Sequence, residues 1–225
     1  MLRTSFPVAV YAPEAAYDIQ YGFVKRPTHD NTSWDQAKFE VCGQRYADLS
    51  DRQKGVALLN DCKYGYRIKG NEMELSLLRS AKHPDYFADR GEHEFTYSFY
   101  PHQTGESLMA VISESAQLNR KPFVFAGCRN GDLTLPCRIE SNNVTIETLK
   151  KAEKSNDLIL RLVENAGMHS TARLFCDPEV KKVTAADLLE WHRTSEILPE
   201  PDGSRHLELK PFEIVTLALT LQQQS

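Results

Sequence analysis

The run Phe212-Glu213-Ile214-Val215-Thr216-Leu217-Ala218-Leu219-Thr220-Leu221 alternates over ten residues near the end of a 225-residue chain. Alternation at period two marks a β-strand, because successive side chains of an extended backbone point to opposite faces. The same reading extends backwards to Phe39-Glu40-Val41-Cys42, Met73-Glu74-Leu75-Ser76-Leu77 and His93-Glu94-Phe95-Thr96-Tyr97-Ser98-Phe99. Gly55 to Leu59 and Leu158-Ile159-Leu160-Arg161-Leu162-Val163 are more continuously apolar, as expected of strands nearer the middle of a sandwich.

Turn-forming residues separate these runs: Asp61-Cys62-Lys63-Tyr64-Gly65, Lys69-Gly70-Asn71, Pro84-Asp85 and Asn130-Gly131-Asp132. Leu198 to Ser204 contains two prolines with Asp202 and Gly203, which predicts a loop before a final hairpin. One helix is predicted from Glu106 to Leu118, where Leu108, Val111, Ile112 and Ala116 recur at spacings of three and four. Thr184 to Glu190 fits either a helical turn capped by Thr184 or a strand. The expected fold is therefore all-β, built of sandwich layers with one or two short helices. Residues 1–125 form a first block, 126–143 a connection and 144–225 a second block.

Composition narrows the function classes. The net charge is -4 and no Lys/Arg block occurs, so nucleic acid is not an expected partner. The longest apolar runs, such as Val56-Ala57-Leu58-Leu59, fall far below the roughly 20 residues that span a bilayer, so no membrane is expected either. Met1 to Pro7 lacks the layout of a signal peptide. Five cysteines (Cys42, Cys62, Cys128, Cys137 and Cys176) are odd in number and without C-x-x-C spacing, the pattern of reduced thiols in a cytoplasmic protein. A Cys128–Cys137 disulfide across a turn is the alternative. The sequons at Asn31 and Asn143 carry little weight without a secretion signal.

No stretch announces self-contained catalysis. The seven histidines are scattered, with no H-E-x-x-H or H-x-H, and His93 and Glu94 would point to opposite faces of their strand. Glycine-rich nucleotide loops and a G-x-S-x-G elbow are lacking from the sequence. No bound metal or other cofactor is expected in this chain. The densest polar and aromatic stretch is Arg26-Pro27-Thr28-His29-Asp30-Asn31-Thr32-Ser33-Trp34-Asp35. Asn, Asp and His beside Trp suit sugar hydroxyls and a pyranose face. Equally, such residues form a polar loop that satisfies its own backbone. Asn60 to Tyr66 and Asp89 to His93 read mainly as turns.

At these same stretches the chain resembles the C-terminal region of the glycoside hydrolase family 38 α-mannosidases, and within them the branch containing the cytosolic enzyme. The matching residues are Arg26 to Trp34, Gly55 to Gly65, Leu75 to Arg79, Ala88 to Tyr97, Pro101-His102, Glu147 to Glu153, Leu158 to Leu162 and Pro211 to Val215. They run in the family's order over nearly the whole chain. The resemblance implies the distal part of a galactose-mutarotase-like β-supersandwich followed by a small terminal β-sandwich. It implies retaining hydrolysis of terminal α-mannosides in glycans, through two carboxylates and a zinc ion that belong to a catalytic domain outside this chain. No residue here matches the family's nucleophile, acid/base or zinc-ligand motifs. The isolated chain is therefore expected to be inactive, and the catalytic domain is its expected partner. His29, Asn31, Trp34 and Asp35, with Arg90 behind them, are the candidates to reach a substrate sugar. Two other readings remain open: a free-standing carbohydrate-binding module, and a module that forms a homo-oligomer through a strand edge.

Overall fold

A computed structural model describes residues 1–103, 108–124, 126 and 135–222, which divide into two units, Met1–Phe123 and Val124–Ser225. The first unit contains β1 (Leu2–Pro7), β2 (Glu14–Ile19), β3 (Gly22–Pro27), α1 (Ser33–Gln36), β4 (Val41–Cys42), β5 (Tyr46–Ser50), β6 (Lys54–Asn60), β7 (Gly65–Lys69), β8 (Glu72–Leu78), β9 (Tyr97–Gln103) and α2 (Leu108–Asn119). These strands form two antiparallel sheets, ordered β1-β8-β7-β4 and β3-β2-β5-β6-β9.

Alternation decides which face of the second sheet meets what. Ala47 and Leu49 of β5 and Val56 and Leu58 of β6 pack with Tyr66, Ile68, Met73 and Leu75 of the first sheet to make the sandwich core. Burying each such Leu contributes roughly 2 kcal/mol. Tyr46, Ala57 and Leu59 point the other way and are covered by Val111, Leu108 and Ile112 of α2. Continuous burial along Gly55 to Asn60 follows, because β6 is central in its sheet and covered on both faces. At the β7–β8 turn, Gly70 takes φ +57°, a left-handed conformation that glycine adopts without a Cβ clash.

The second unit contains β10 (Cys137–Glu140), β11 (Val144–Lys151), β12 (Leu158–Glu164), β13 (Ser170–Cys176), β14 (Val180–Ala186), β15 (Arg193–Glu196), β16 (Ser204–Leu209) and β17 (Ile214–Leu221). It too is a sandwich of two sheets, β10-β13-β16 and β11-β12-β17-β14-β15. Leu160, Leu162, Leu217 and Leu219 of the larger sheet pack on Leu174, Leu207 and Leu209 of the smaller one.

The all-β, sandwich expectation is met, and α2 lies where the three-and-four spacing placed a helix. Glu106 and the Asn130-Gly131-Asp132 turn lie outside the described residues. Four local readings change, and the open alternative at Thr184 is decided. The strand expected from His93 starts only at Tyr97, because Asp61 draws off the backbone there: its Oδ1 accepts from Thr96 N–H at 3.0 Å. The alternating run at Phe39 contributes only Val41–Cys42 to a sheet. Thr184 to Ala186 continues β14 as strand, after which the chain turns to a left-handed Glu190 at φ +64°. The final hairpin is absent, since β16 pairs with β13 and β17 lies between β12 and β14 in the opposite sheet. The stretch read as a connection contains β10, which pairs with β13 over Cys137 to Glu140.

Candidate functional site

The candidate loop leaves β3 at Pro27 and folds onto one helical turn. Thr32 caps α1, its Oγ1 accepting from Asp35 N–H at 3.1 Å and donating to Asp35 Oδ2 at 2.7 Å. This reciprocal pairing turns the Asp35 side chain inward, where it is buried. The Thr32 hydroxyl, with Lys38 at 3.6 Å and His29 at 3.8 Å, holds the Asp35 carboxyl below the usual carboxylate range. His29 Nδ1 accepts weakly from Asn31 N–H at 3.4 Å. Lys69 of β7 ties the loop down, donating to Asp30 and, at 3.3 Å, to the Asp35 carbonyl. Trp34 faces solvent, 80% exposed.

His29, Asn31 and Asp35 are thus gathered in one loop, with an exposed indole beside them. Arg90 stands in another loop, its guanidinium 4.5 Å over the Phe87 ring and 5.5 Å over that of Tyr86. That loop is shaped by Asp89, whose Oδ2 accepts from Ser80 N–H at 2.7 Å and Arg79 N–H at 3.2 Å.

A second constellation, not singled out in the sequence, lies on the α2 side of the five-stranded sheet. Ser50, Gly55 and His102 form one cross-strand row through β5, β6 and β9. Because Gly55 lacks a side chain, the His102 ring lies across β6 and brings its Nε2 within 2.7 Å of Asp48 Oδ1. A Cβ at Gly55 would come 2.4 Å from His102 Cε1 and 2.2 Å from Ser50 Oγ. Ser50 donates to the other Asp48 oxygen at 2.7 Å. Both partners are nearly buried, His102 being 3% and Asp48 6% exposed.

This trio forms the floor of a cavity of about 390 Å³ walled by Ala16, Phe23, Lys25, Glu14 and Leu108. The arrangement is not a hydrolytic triad. The carboxylate, not the imidazole, stands between the other two groups, so no base is aimed at Ser50. It is instead a polar floor with an aromatic wall and rim charges of both signs. The sequence did contain a signal: Asp48 interrupts the apolar strand Tyr46-Ala47-Asp48-Leu49, and a charge there requires a buried partner.

Among the described residues no three His, Cys, Asp or Glu side chains converge as a metal ion requires. Nor is any helix among them long and apolar enough to cross a membrane.

Comparison with known proteins gives these units a family. The profile for the "Glycosyl hydrolases family 38 C-terminal domain" matches residues 1–87, and that for the "Glycosyl hydrolases family 38 C-terminal beta sandwich domain" matches residues 143–217. Alpha-mannosidase 2C1 of Mus musculus is 40% identical over 226 residues, covering 98% of this chain and 22% of that protein. The alpha-mannosidase of Saccharomyces cerevisiae is 37% identical over 249 residues, covering 97% of this chain and again 22% of the relative. This chain thus spans about a fifth of the length of the curated relatives it matches. The crystal structure of an alpha-mannosidase from Enterococcus faecalis V583 shares the fold, with a TM-score of 0.74 at 23% identity over 97% of this chain and 25% of that one. Two profiles of one family, met in succession and each falling within one of the two sandwich units, establish that this chain belongs to glycoside hydrolase family 38, in the C-terminal β region of that family.

Proposed function

We propose that the chain is the C-terminal β part of an α-mannosidase that hydrolyses terminal α-mannosides of glycans with retention of configuration. The observation that carries this reading is the 40% identity to alpha-mannosidase 2C1 along 98% of the chain. Retaining glycosidases need two carboxyl groups about 5–5.5 Å apart, one attacking the anomeric carbon and one protonating the leaving oxygen. The carboxylates of the two constellations described above serve other purposes: Asp35 accepts from the capping hydroxyl of Thr32, and Asp48 holds Ser50 and His102. Nucleophile, acid/base and zinc are therefore assigned to a catalytic domain in the same polypeptide as this part or associated with it. The chain acts as scaffold and cleft wall, offering His29, Asn31 and Trp34 toward the glycan, with Asp35 holding their loop from within and Arg90 behind them. A cytoplasmic location accords with the reading of its cysteines as reduced thiols.

The test is hydrolysis of a chromogenic α-mannoside by the chain alone and by the chain joined to a family 38 catalytic domain, with zinc or cobalt present. Turnover by the joined protein alone is the expected result. Zinc-dependent turnover by the chain alone would overturn the placement of the machinery, and a folded joined protein without turnover would overturn the activity.

A second reading, a carbohydrate-binding module, is favoured by the cavity over Asp48 and His102. It predicts that mannose perturbs the His102 ring resonances of the chain alone, and that an Asp48→Ala substitution abolishes the effect.

A further inference from the structure

Cys137 opens β10 and Cys176 closes β13, and the two stand directly opposite each other in the antiparallel ladder. The flanking residues are joined by Asp177 N–H donating to the Pro136 carbonyl at 2.9 Å. That bond makes Cys137 and Cys176 a non-hydrogen-bonded pair, the class whose Cα atoms approach to about 4.5 Å with side chains closest. Such a spacing lies within the Cα range of a disulfide, about 4.4–6.8 Å. Direct opposition puts both side chains on one face of the sheet, and both meet the core of the second unit. Both thiols are free.

The two sulfurs are not equivalent. Cys137 is 4% exposed, and burial together with the neighbouring Cys176 pushes its thiol up to about 11. Cys176 is half-buried; burial raises its thiol too, against the pull of the Arg205 guanidinium toward thiolate. Strand β10 is a four-residue edge strand with Cys137 at its end, so exposing the pair takes only fraying of that edge.

We propose that Cys137 and Cys176 are a redox modification site, a cross-strand dithiol that closes to a disulfide by exchange with a small-molecule disulfide of the glutathione type. Cys176 loses its proton, and its sulfur attacks one sulfur of the oxidised glutathione. The glutathione S–S bond breaks, a mixed disulfide forms, and one glutathione thiolate leaves. Cys137, deprotonated in turn, attacks the Cys176 sulfur and displaces the second glutathione thiolate. The protein dithiol gives up two electrons, the glutathione disulfide takes them, and the two protons end on the two released thiols. The new bond fastens the β10 edge to β13 and closes a loop of about 40 residues, a constraint that stabilises the folded unit. This site does not depend on the glycosidase reading.

The experiment equilibrates the 225-residue chain with graded ratios of oxidised to reduced glutathione, then quenches with acid, alkylates the remaining thiols and maps the peptides. The expected product is one peptide pair joined through Cys137 and Cys176, formed selectively in the native chain but not in urea. A triple variant, Cys42→Ser with Cys62→Ser and Cys128→Ser, retains it, and Cys176→Ser abolishes it. Two results overturn the proposal: Cys137 and Cys176 stay fully alkylatable at ratios that glutathionylate Cys42 and Cys62, or Cys137 is recovered joined to Cys128.

Discussion

The imidazole of His102 reaches Asp48 across an intervening strand, Nε2 to Oδ1 at 2.7 Å, because the residue at the crossing is Gly55. Two residues 54 positions apart in sequence are thereby locked into one buried polar group that also holds Ser50.

Gly55→Ala is expected to expel the His102 ring, since the added methyl would come within 2.4 Å of it. Leaving Asp48 buried without that partner costs about 1–3 kcal/mol. Urea unfolding of the first unit measures the loss, and the ring NMR signals of His102 should move to solvent-exposed positions. An unchanged midpoint with unchanged ring signals would contradict the crossing.

Asp35 gives a pH dependence of definite sign. Its carboxyl titrates below the ordinary value of 3.8, chiefly because Thr32 donates to the charged form. The loop therefore has its full stabilisation above the ordinary carboxylate range and loses it as pH falls through the lowered value. A carbon-13 titration of the Asp35 carboxyl is expected to show a midpoint under 3.8, returning toward 3.8 in Thr32→Ala. A wild-type midpoint at or above 3.8 refutes the capping assignment.

Glu164 is fully buried at the end of β12 and accepts from the N–H groups of Ala166 at 2.9 Å, Gly167 at 2.8 Å and Phe212 at 3.0 Å, and from the Ser170 hydroxyl at 3.2 Å. It joins the β12–β13 turn to the start of β17. Replacing it by Ala leaves three part-buried backbone donors and the buried Ser170 hydroxyl without their acceptor, and the second unit should lose about 3 kcal/mol. Glu164→Gln, which keeps an acceptor, should lose visibly less. Equal losses in the two variants would mean that the site acts through volume and not through its oxygens.

Trp34→Ala separates structure from function in the candidate loop. With 80% of the residue in solvent, unfolding free energy should change by no more than about 0.5 kcal/mol. A KM for α-mannoside raised several-fold in the joined enzyme, with stability unchanged, supports a sugar-facing indole. An unchanged KM removes Trp34 from the site.

Strand identity was legible in the sequence because it depends on local properties: β8 and β17 follow the alternating period of apolar residues, and β6 and β12 stand out as the short, continuously apolar runs of strands covered on both faces. The errors arose where a long-range partner intervened. Asp61 captures Thr96 and delays β9, and β16 leaves its neighbour β17 to pair with β13. The candidate loop was found by its residue types, but the inward turn of Asp35 depends on the Thr32 hydroxyl and on Lys69, which is 34 residues away. The Asp48 constellation went unread because its three side chains come from two non-adjacent strands and meet only over a glycine.

By itself, then, the sequence determined the β class, the position of α2 and the family, through ordered motifs and periodic burial that need no knowledge of what faces what. Only the tertiary structure decided which strands share a sheet, which carboxylates are occupied by neighbours, and that Cys137 faces Cys176. Those outcomes depend on register, and register is set by the packing of two sheets against each other, a property no single strand carries.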